Sequence, residues 1–405
     1  MLMAYIRRGS KEYTQASLSL FLGGFVTFSI LYTTQPLLPV IAKEFNVSAP
    51  LASLSLSLST GLLAVSMLLA AAISDSIGKK KIMVLSMFLT SFLALLTAFS
   101  PSFITLLVLR ALLGIFIAGV PSIAMAYIGE EFHPKGIGRI MGLYISGTTI
   151  GGMAGRIFIG VLSDIFTWRI AVIALAGLTL IISMIFGMSL PKSRHAGKKT
   201  LEWSYIFNSY KTHLLNKRLL ALFFLAFLLM GSFVTLYNYI GFLFMEPPYE
   251  LSQTVVGFIF IVYICGTYSS VYMGKKADQY GYSFILKLSI AIMLVGAIIT
   301  LLPSLIGKIL GISIFTFGFF GSHSIASSWV GEYALQNKAQ ASSLYLLFYY
   351  LGSSMVGSFG GYFWLHFHWI GVIALILFLL LIGCTLVLAV SKNQRRTSVF
   401  NNTSD

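Results

Sequence analysis

Apolar stretches of about 20 residues follow one another along almost the whole chain, each long enough to cross a bilayer and separated by short polar turns. Soluble domains keep about a quarter of their residues charged. Here the charged share is 10% against 57% hydrophobic in 405 residues, which excludes a soluble enzyme. The runs are continuous and show no period-two alternation, so the strands of a membrane β-barrel are excluded as well. The expected fold class is an all-α membrane protein.

The pattern divides into twelve transmembrane helices. The first is expected over 16–42, the fourth over 102–129, the eighth over 253–273 and the last two over 342–363 and 370–391. Residues 1–190 hold six of them, residues 219–405 hold the other six with a tail, and the polar stretch 191–218 links the halves. No small-residue cleavage site follows the first apolar run, so it reads as an uncleaved membrane helix and not as a signal peptide. In the linker, Trp203, Phe207, Tyr210 and Leu214 recur at spacings of 4, 3 and 4, which places them on one face of a helix. With Lys211, Lys217 and Arg218 beside them, that helix is expected to lie in the membrane interface.

The net charge of +15 takes its meaning from where the cations fall. Of 27 Lys and Arg residues, 22 sit on alternate loops, three (Lys43, Arg169 and Lys308) on the opposite loops, and two (Arg110 and Arg156) inside apolar segments. The positive-inside rule makes the rich side cytoplasmic and puts both termini there, in a plasma or bacterial inner membrane. Basic residues spread along one membrane face form no nucleic-acid patch. Cys265 and Cys384 lie in helices without metal-ligand spacing, and neither a metal nor a cofactor is expected.

The halves are related. Asp75-Ser76-Ile77-Gly78 returns as Asp278-Gln279-Tyr280-Gly281, and Tyr127-Ile128-Gly129-Glu130 as Trp329-Val330-Gly331-Glu332. Gly147, Gly152 and Gly155 return as Gly352, Gly357 and Gly360, and Val172-Ile173-Ala174-Leu175 as Val372-Ile373-Ala374-Leu375. All four matches keep their order at offsets between 200 and 205. An even number of helices brings both copies back to the same side, which is the parallel-repeat plan of many transporters.

At these residues the chain resembles the major facilitator superfamily over its whole length. Ala71-Ala72-Ile73-Ser74-Asp75-Ser76-Ile77-Gly78-Lys79-Lys80-Lys81 is similar to the family's G-x-L-A-D-R-x-G-R-K loop, with Ala71 and Ser76 as departures. Arg110 and Gly114 resemble the R-x-x-x-G motif of the fourth helix. Gly147-Thr148-Thr149-Ile150-Gly151-Gly152 looks like the antiporter motif G-P-x-x-G-G with Thr148 in place of proline. The general pattern is most similar to the drug/proton antiporter and sugar-efflux branch. The resemblance implies two six-helix bundles around a central cavity, and a cytoplasmic gate at Asp75, Gly78, Lys79 and Lys80, with Asp278 and Gly281 as its second copy.

The residues themselves add detail. Arg110 and Arg156 stand roughly 9–12 Å below the outer ends of their helices. A guanidinium at that depth faces a wet cavity or a partner, so both are candidates for the substrate cavity or for coupling. All twelve carboxylates map to loops or helix ends. Glu130 and Glu332 are the secondary titratable candidates, with Lys135, Arg139 or Lys338 as expected partners. His323 is the imidazole well inside a span, with an ordinary pKa in the coupling range. Gly147, Gly151 and Gly155 make a smooth ridge on one helix, as do Ser353, Gly357 and Gly361 on another, which lets helices approach closely.

The function expected is a secondary transporter working by alternating access, with proton-coupled efflux of small amphiphilic compounds. Its partners would be a small-molecule substrate, protons and the lipid bilayer, and the chain would act as a monomer. Two alternatives stay open: a symporter or uniporter for an anionic or neutral solute, drawn by the two arginines, and a receptor or lipid scramblase on the same scaffold. No G-x-x-x-x-G-K-[ST] occurs, which disfavours a primary pump. No nucleophile, base and orienter assemble into an enzyme site.

Overall fold

Hydroxyl side chains start many of the helices. Ser10, Ser102, Thr167, Ser252 and Ser304 each stand just before a helix in extended backbone, and each side chain accepts a backbone N–H from the first turn. The computed structural model describes residues 5–133, 137–193, 203–334 and 336–401. In chain order the helices are α1 (Lys11–Leu31), α2 (Leu38–Glu44), α3 (Ala49–Ile77), α4 (Lys79–Thr97), α5 (Phe103–Ile117), α6 (Gly119–Glu131), α7 (Ile137–Ile165) and α8 (Trp168–Ser189). They continue as α9 (Trp203–Leu215), α10 (Lys217–Met245), α11 (Gln253–Phe258), α12 (Tyr263–Tyr280), α13 (Tyr282–Ile299), α14 (Leu305–Tyr333) and α15 (Lys338–Asn401).

Among the described residues, eleven helical stretches are long and apolar enough to cross a membrane. The last of these, Lys338–Ser391, is two helices joined at His368, whose φ of 50° no α-helix contains, and this restores the expected twelve.

Three spans depart from the hydropathy outline. The first ends at Leu31 rather than at 42, because Pro36 lacks an N–H and Pro39 opens the separate short helix α2. The fourth is interrupted at Ala118, three residues before Pro121, which leaves the Ile117 carbonyl without its helical donor. The eighth runs from Gln253 to Tyr280 through a 3-10 turn at Ile259–Val262.

Two compact units result: Met1–Leu201 with Gly241–Phe260, and Glu202–Ile240 with Ile261–Asp405. In the first, the glycine ridge of α7 lies on the backbone of α1. A Cβ at Gly147 would strike the Phe21 carbonyl, one at Gly151 the Phe25 backbone, and one at Gly155 would fall 2.7 Å from Ser29 Cα. Ser29 Oγ donates to the Gly151 carbonyl at 2.9 Å across the same seam.

The second unit repeats the seam between α10 and α15. Gly352 meets the Phe227 carbonyl, Gly360 meets Thr235, and Thr235 Oγ1 donates to the Val356 carbonyl at 3.0 Å. Each residue is the counterpart of its first-unit equivalent 205 or 206 positions earlier. The internal repeat is therefore a repeated packing solution. The ridge of α15 differs from the expected Ser353, Gly357 and Gly361. Gly352 and Gly360 touch the neighbouring helix, Gly357 faces Val234 and Asn238, and Gly361 is buried in the same helix.

Helix α9 covers part of the linker. Phe207 and Leu214 are exposed while Ser209 and His213 are buried, and His213 Nε2 lies 3.2 Å from the Asn337 carbonyl. Residues 194–202 and the side chain of Trp203 lie outside those described.

Candidate functional site

A helix leaves its last carbonyls without intrahelical donors, and its dipole makes that end negative. Four of the cations among the described residues answer such an end. Arg110 reaches from α5 to the end of α1, where Nη2 donates to the Leu31 carbonyl at 2.6 Å and Nη1 to the Ile30 carbonyl at 3.3 Å. Its Nε donates to the Ser55 carbonyl at 2.7 Å, and the side chain is 1% exposed. Arg169 Nη1 donates to the Ala98 and Ser100 carbonyls beyond α4, at 2.8 and 3.1 Å, while Nη2 pairs with Glu44 at 2.7 Å. Lys308 Nζ donates to the Thr300 carbonyl beyond α13 at 2.9 Å, and Lys80 Nζ to the Leu190 carbonyl beyond α8.

Arg156 is held differently. Its Nε donates to Gln35 Oε1 at 2.9 Å and Nη1 to the Gly152 carbonyl at 2.6 Å. The guanidinium carbon lies 4.1 Å from the Tyr32 ring centroid and 4.6 Å from that of Phe260, and the residue is 2% exposed. Gly152 serves this contact, with its absent Cβ position 3.2 Å from Arg156 Nη1.

At the lysine-rich ends of the helices, Gly78 and Gly281 each join two helices with φ of 110° and 88°, a region that side chains avoid. Asp75 stands in the last turn of α3, and its side chain lies outside those described. Asp278 and Glu332 are exposed. The structure gives Glu130 a partner that was not among those expected: its carboxylate meets Lys79 Nζ at 2.8 Å, and the lysine side chain is only 4% exposed. An ammonium folded under α6 can reach a carboxylate there, whereas Lys135 lies outside the described residues. Lys79→Glu is expected to lower the yield of monodisperse protein in detergent, and adding Glu130→Lys to restore part of it. Equal yields for the single and double variants would remove this pair from the account.

One buried carboxylate was absent from the sequence candidates. Glu131 is 1% exposed and accepts from Ser193 Oγ at 2.6 Å. Its position at a helix end gave no sign that the linker would fold over it.

His323 lies on α14, ten residues or about 15 Å from the Tyr333 end. Its ring Nδ1 is 2.9 Å from Tyr345 Oη, and its plane is stacked on Phe319 at 6.1 Å and set 4.6 Å from the Tyr349 ring. His323 and Tyr349 are half-buried. Yet Thr316, Phe319, Ala326 and Val330 on the same stripe of α14 are buried, as are Tyr345, Gly352 and Val356 on that of α15. The two rings therefore lie on stripes whose other members are covered by protein, and they keep part of their own surface exposed. Tyr345 and Tyr349 escaped notice in the sequence because they are two of 20 tyrosines in a chain with 33 phenylalanines.

The family model of the Major Facilitator Superfamily matches residues 20–357. The chain belongs to the major facilitator superfamily. It is 50% identical over 381 residues to an uncharacterized MFS-type transporter, YybF, of Bacillus subtilis, covering 94% of each chain. It is 43% identical over 379 residues to the inner membrane transport protein YnfM of Escherichia coli, covering 94% of this chain and 91% of that one. In fold it is similar to a bacterial homolog of the human lysosomal transporter Spinster, solved inward-facing and unoccupied, with a TM-score of 0.77 at 15% identity over 95% of this chain and 98% of that one. As a superfamily member it is a multi-pass membrane transporter for small-molecule substrates and not an enzyme.

Proposed function

We propose that this superfamily member exports small amphiphilic compounds in exchange for protons, acting as a monomer by alternating access with its basic loops and both termini on the cytoplasmic side. The observation that carries the proposal is His323. Among the described residues it is the one Asp, Glu or His in the middle of a span, and it is half-buried rather than sealed in the core. An exchanger needs one group that binds a proton reversibly where substrate also reaches, and imidazole is suited to that task. The side chains set against it are Phe319, Tyr345 and Tyr349, so phenols are its titratable neighbours among these contacts. Arg110 and Arg156 donate to groups of their own unit, which weakens the case for an anionic solute.

The test is proton movement in proteoliposomes holding a preset pH gradient, challenged with lipophilic cations, neutral aryl amphiphiles, sugars and organic anions. Flux triggered by amphiphiles and lost in His323→Gln is expected. Flux triggered only by anions, or undiminished in His323→Gln, would overturn the proposal.

Asp75, next to the turn at Gly78, is assigned to the conformational cycle. Asp75→Asn is expected to cut turnover several-fold while leaving equilibrium substrate binding within about twofold. Wild-type turnover in that variant would withdraw the gating role from Asp75 and its counterpart Asp278.

A further inference from the structure

In the second unit, aromatic rings form a column. Phe233 stacks on Phe319 at 3.8 Å with 15° between planes, Phe319 on His323 at 6°, and His323 on Tyr345 at 28°. Tyr349 closes one side, 4.6 Å from His323 and tilted 36°. Near-parallel rings that are only half-buried at His323 and Tyr349 offer a surface on which one more ring can stack.

One arrangement of protons uses every polar group at this contact. Tyr345 Oη lies 2.9 Å from His323 Nδ1 and 3.3 Å from the His323 carbonyl oxygen. A phenol has one proton. Donated to the carbonyl, it leaves the phenol oxygen to accept from Nδ1–H, and all three groups are used. The ring lone pair then resides on Nε2, as a hydrogen-bond acceptor among aromatic faces. No carboxylate among the described residues lies at this depth, so nothing there compensates a permanent cation.

We infer that the second unit contains a binding subsite for an aromatic compound bearing a hydrogen-bond donor, its ring against Tyr349 and its donor on His323 Nε2. The inference rests on the export proposal for its physiological sense, since the lone pair that takes the ligand's hydrogen is the one that takes a proton. One proton gained at Nε2 displaces one ligand donor, and the reverse step releases that proton. Exchange follows from competition for a single lone pair.

Equilibrium dialysis of the full-length protein in detergent, without any gradient, tests the subsite with two probes of one shape, 2-naphthol and 2-methoxynaphthalene. The wild type is expected to bind the naphthol about fivefold tighter, the worth of one hydrogen bond. His323→Phe keeps a ring and loses the acceptor. It is expected to bind both probes equally, at the strength of the methoxy compound in the wild type. Tyr349→Leu is expected to weaken both probes together and keep their ratio. Melting temperature and elution profile are recorded for each variant, so that a loss of folded protein is told apart from a loss of binding. Equal binding of the two probes by the wild type, or an unchanged preference in His323→Phe, would overturn the subsite. Because no proton flux is read, a failure of proton-coupled export would leave this discrimination intact, and the two failures are distinguishable.

Discussion

Gly151→Leu is expected to remove most folded protein, whereas Gly142→Leu nine residues earlier in the same helix is expected to be tolerated. A Cβ at Gly151 would stand 2.5 Å from Phe25 Cα and 2.7 Å from its carbonyl carbon. These are backbone atoms, so no rotamer change relieves the clash, and α1 must back away along the whole seam. Overpacking costs about 1–3 kcal/mol where side chains can give. Here a helix must move and the Ser29–Gly151 hydrogen bond is lost, which puts the cost at about 3 kcal/mol or more. A Cβ at Gly142 meets nothing within 4 Å, and the residue is exposed. Elution profiles and melting temperatures in detergent check the pair. A Gly151→Leu protein that melts with the wild type would refute the packing of α7 on α1.

Arg110→Ala is expected to lower stability by about 3 kcal/mol, through a helix end left without its donor and a cavity where a large side chain stood. The Leu31 carbonyl suffers most. The Ile30 carbonyl still accepts from Thr33 Oγ1 at 2.8 Å, whereas the bond from Arg110 Nη2 at 2.6 Å is the strong contact at Leu31. Arg110→Lys keeps a cation near the end of α1 but loses the planar fork that spans Ser55 and Leu31, and an intermediate loss is expected. Probe binding per folded molecule separates this structural role from a place in the substrate cavity. An Arg110→Ala variant that melts as the wild type does but binds no probe would return Arg110 to the cavity.

Much of this fold was legible because each signal is local. The cost of exposing an apolar segment to water depends on that segment's own composition, so spans announce themselves by length. The spacing of Gly147, Gly151 and Gly155 is equally short-range, and the repeat matched Gly352 and Gly360 to Gly147 and Gly155, although the ridge read from spacing alone fell on Ser353, Gly357 and Gly361. Even local signals failed where apolar residues hid a break, as between Leu31 and Leu38.

The sequence by itself determined the membrane class, the helix count, the internal repeat and the family. Tertiary structure alone decided that Arg110 closes the end of α1, that Lys79 pairs with Glu130, that Glu131 lies under the linker, and that His323 stands among Tyr345, Tyr349 and Phe319. The reason lies in the solvent. In water, hydrophobic periodicity tells which face of a helix turns inward, but lipid is as apolar as a protein core, so hydropathy leaves the rotation of each helix about its axis undetermined. That rotation fixes which polar groups meet, and it is set only when close packing and hydrogen bonds between helices are satisfied together.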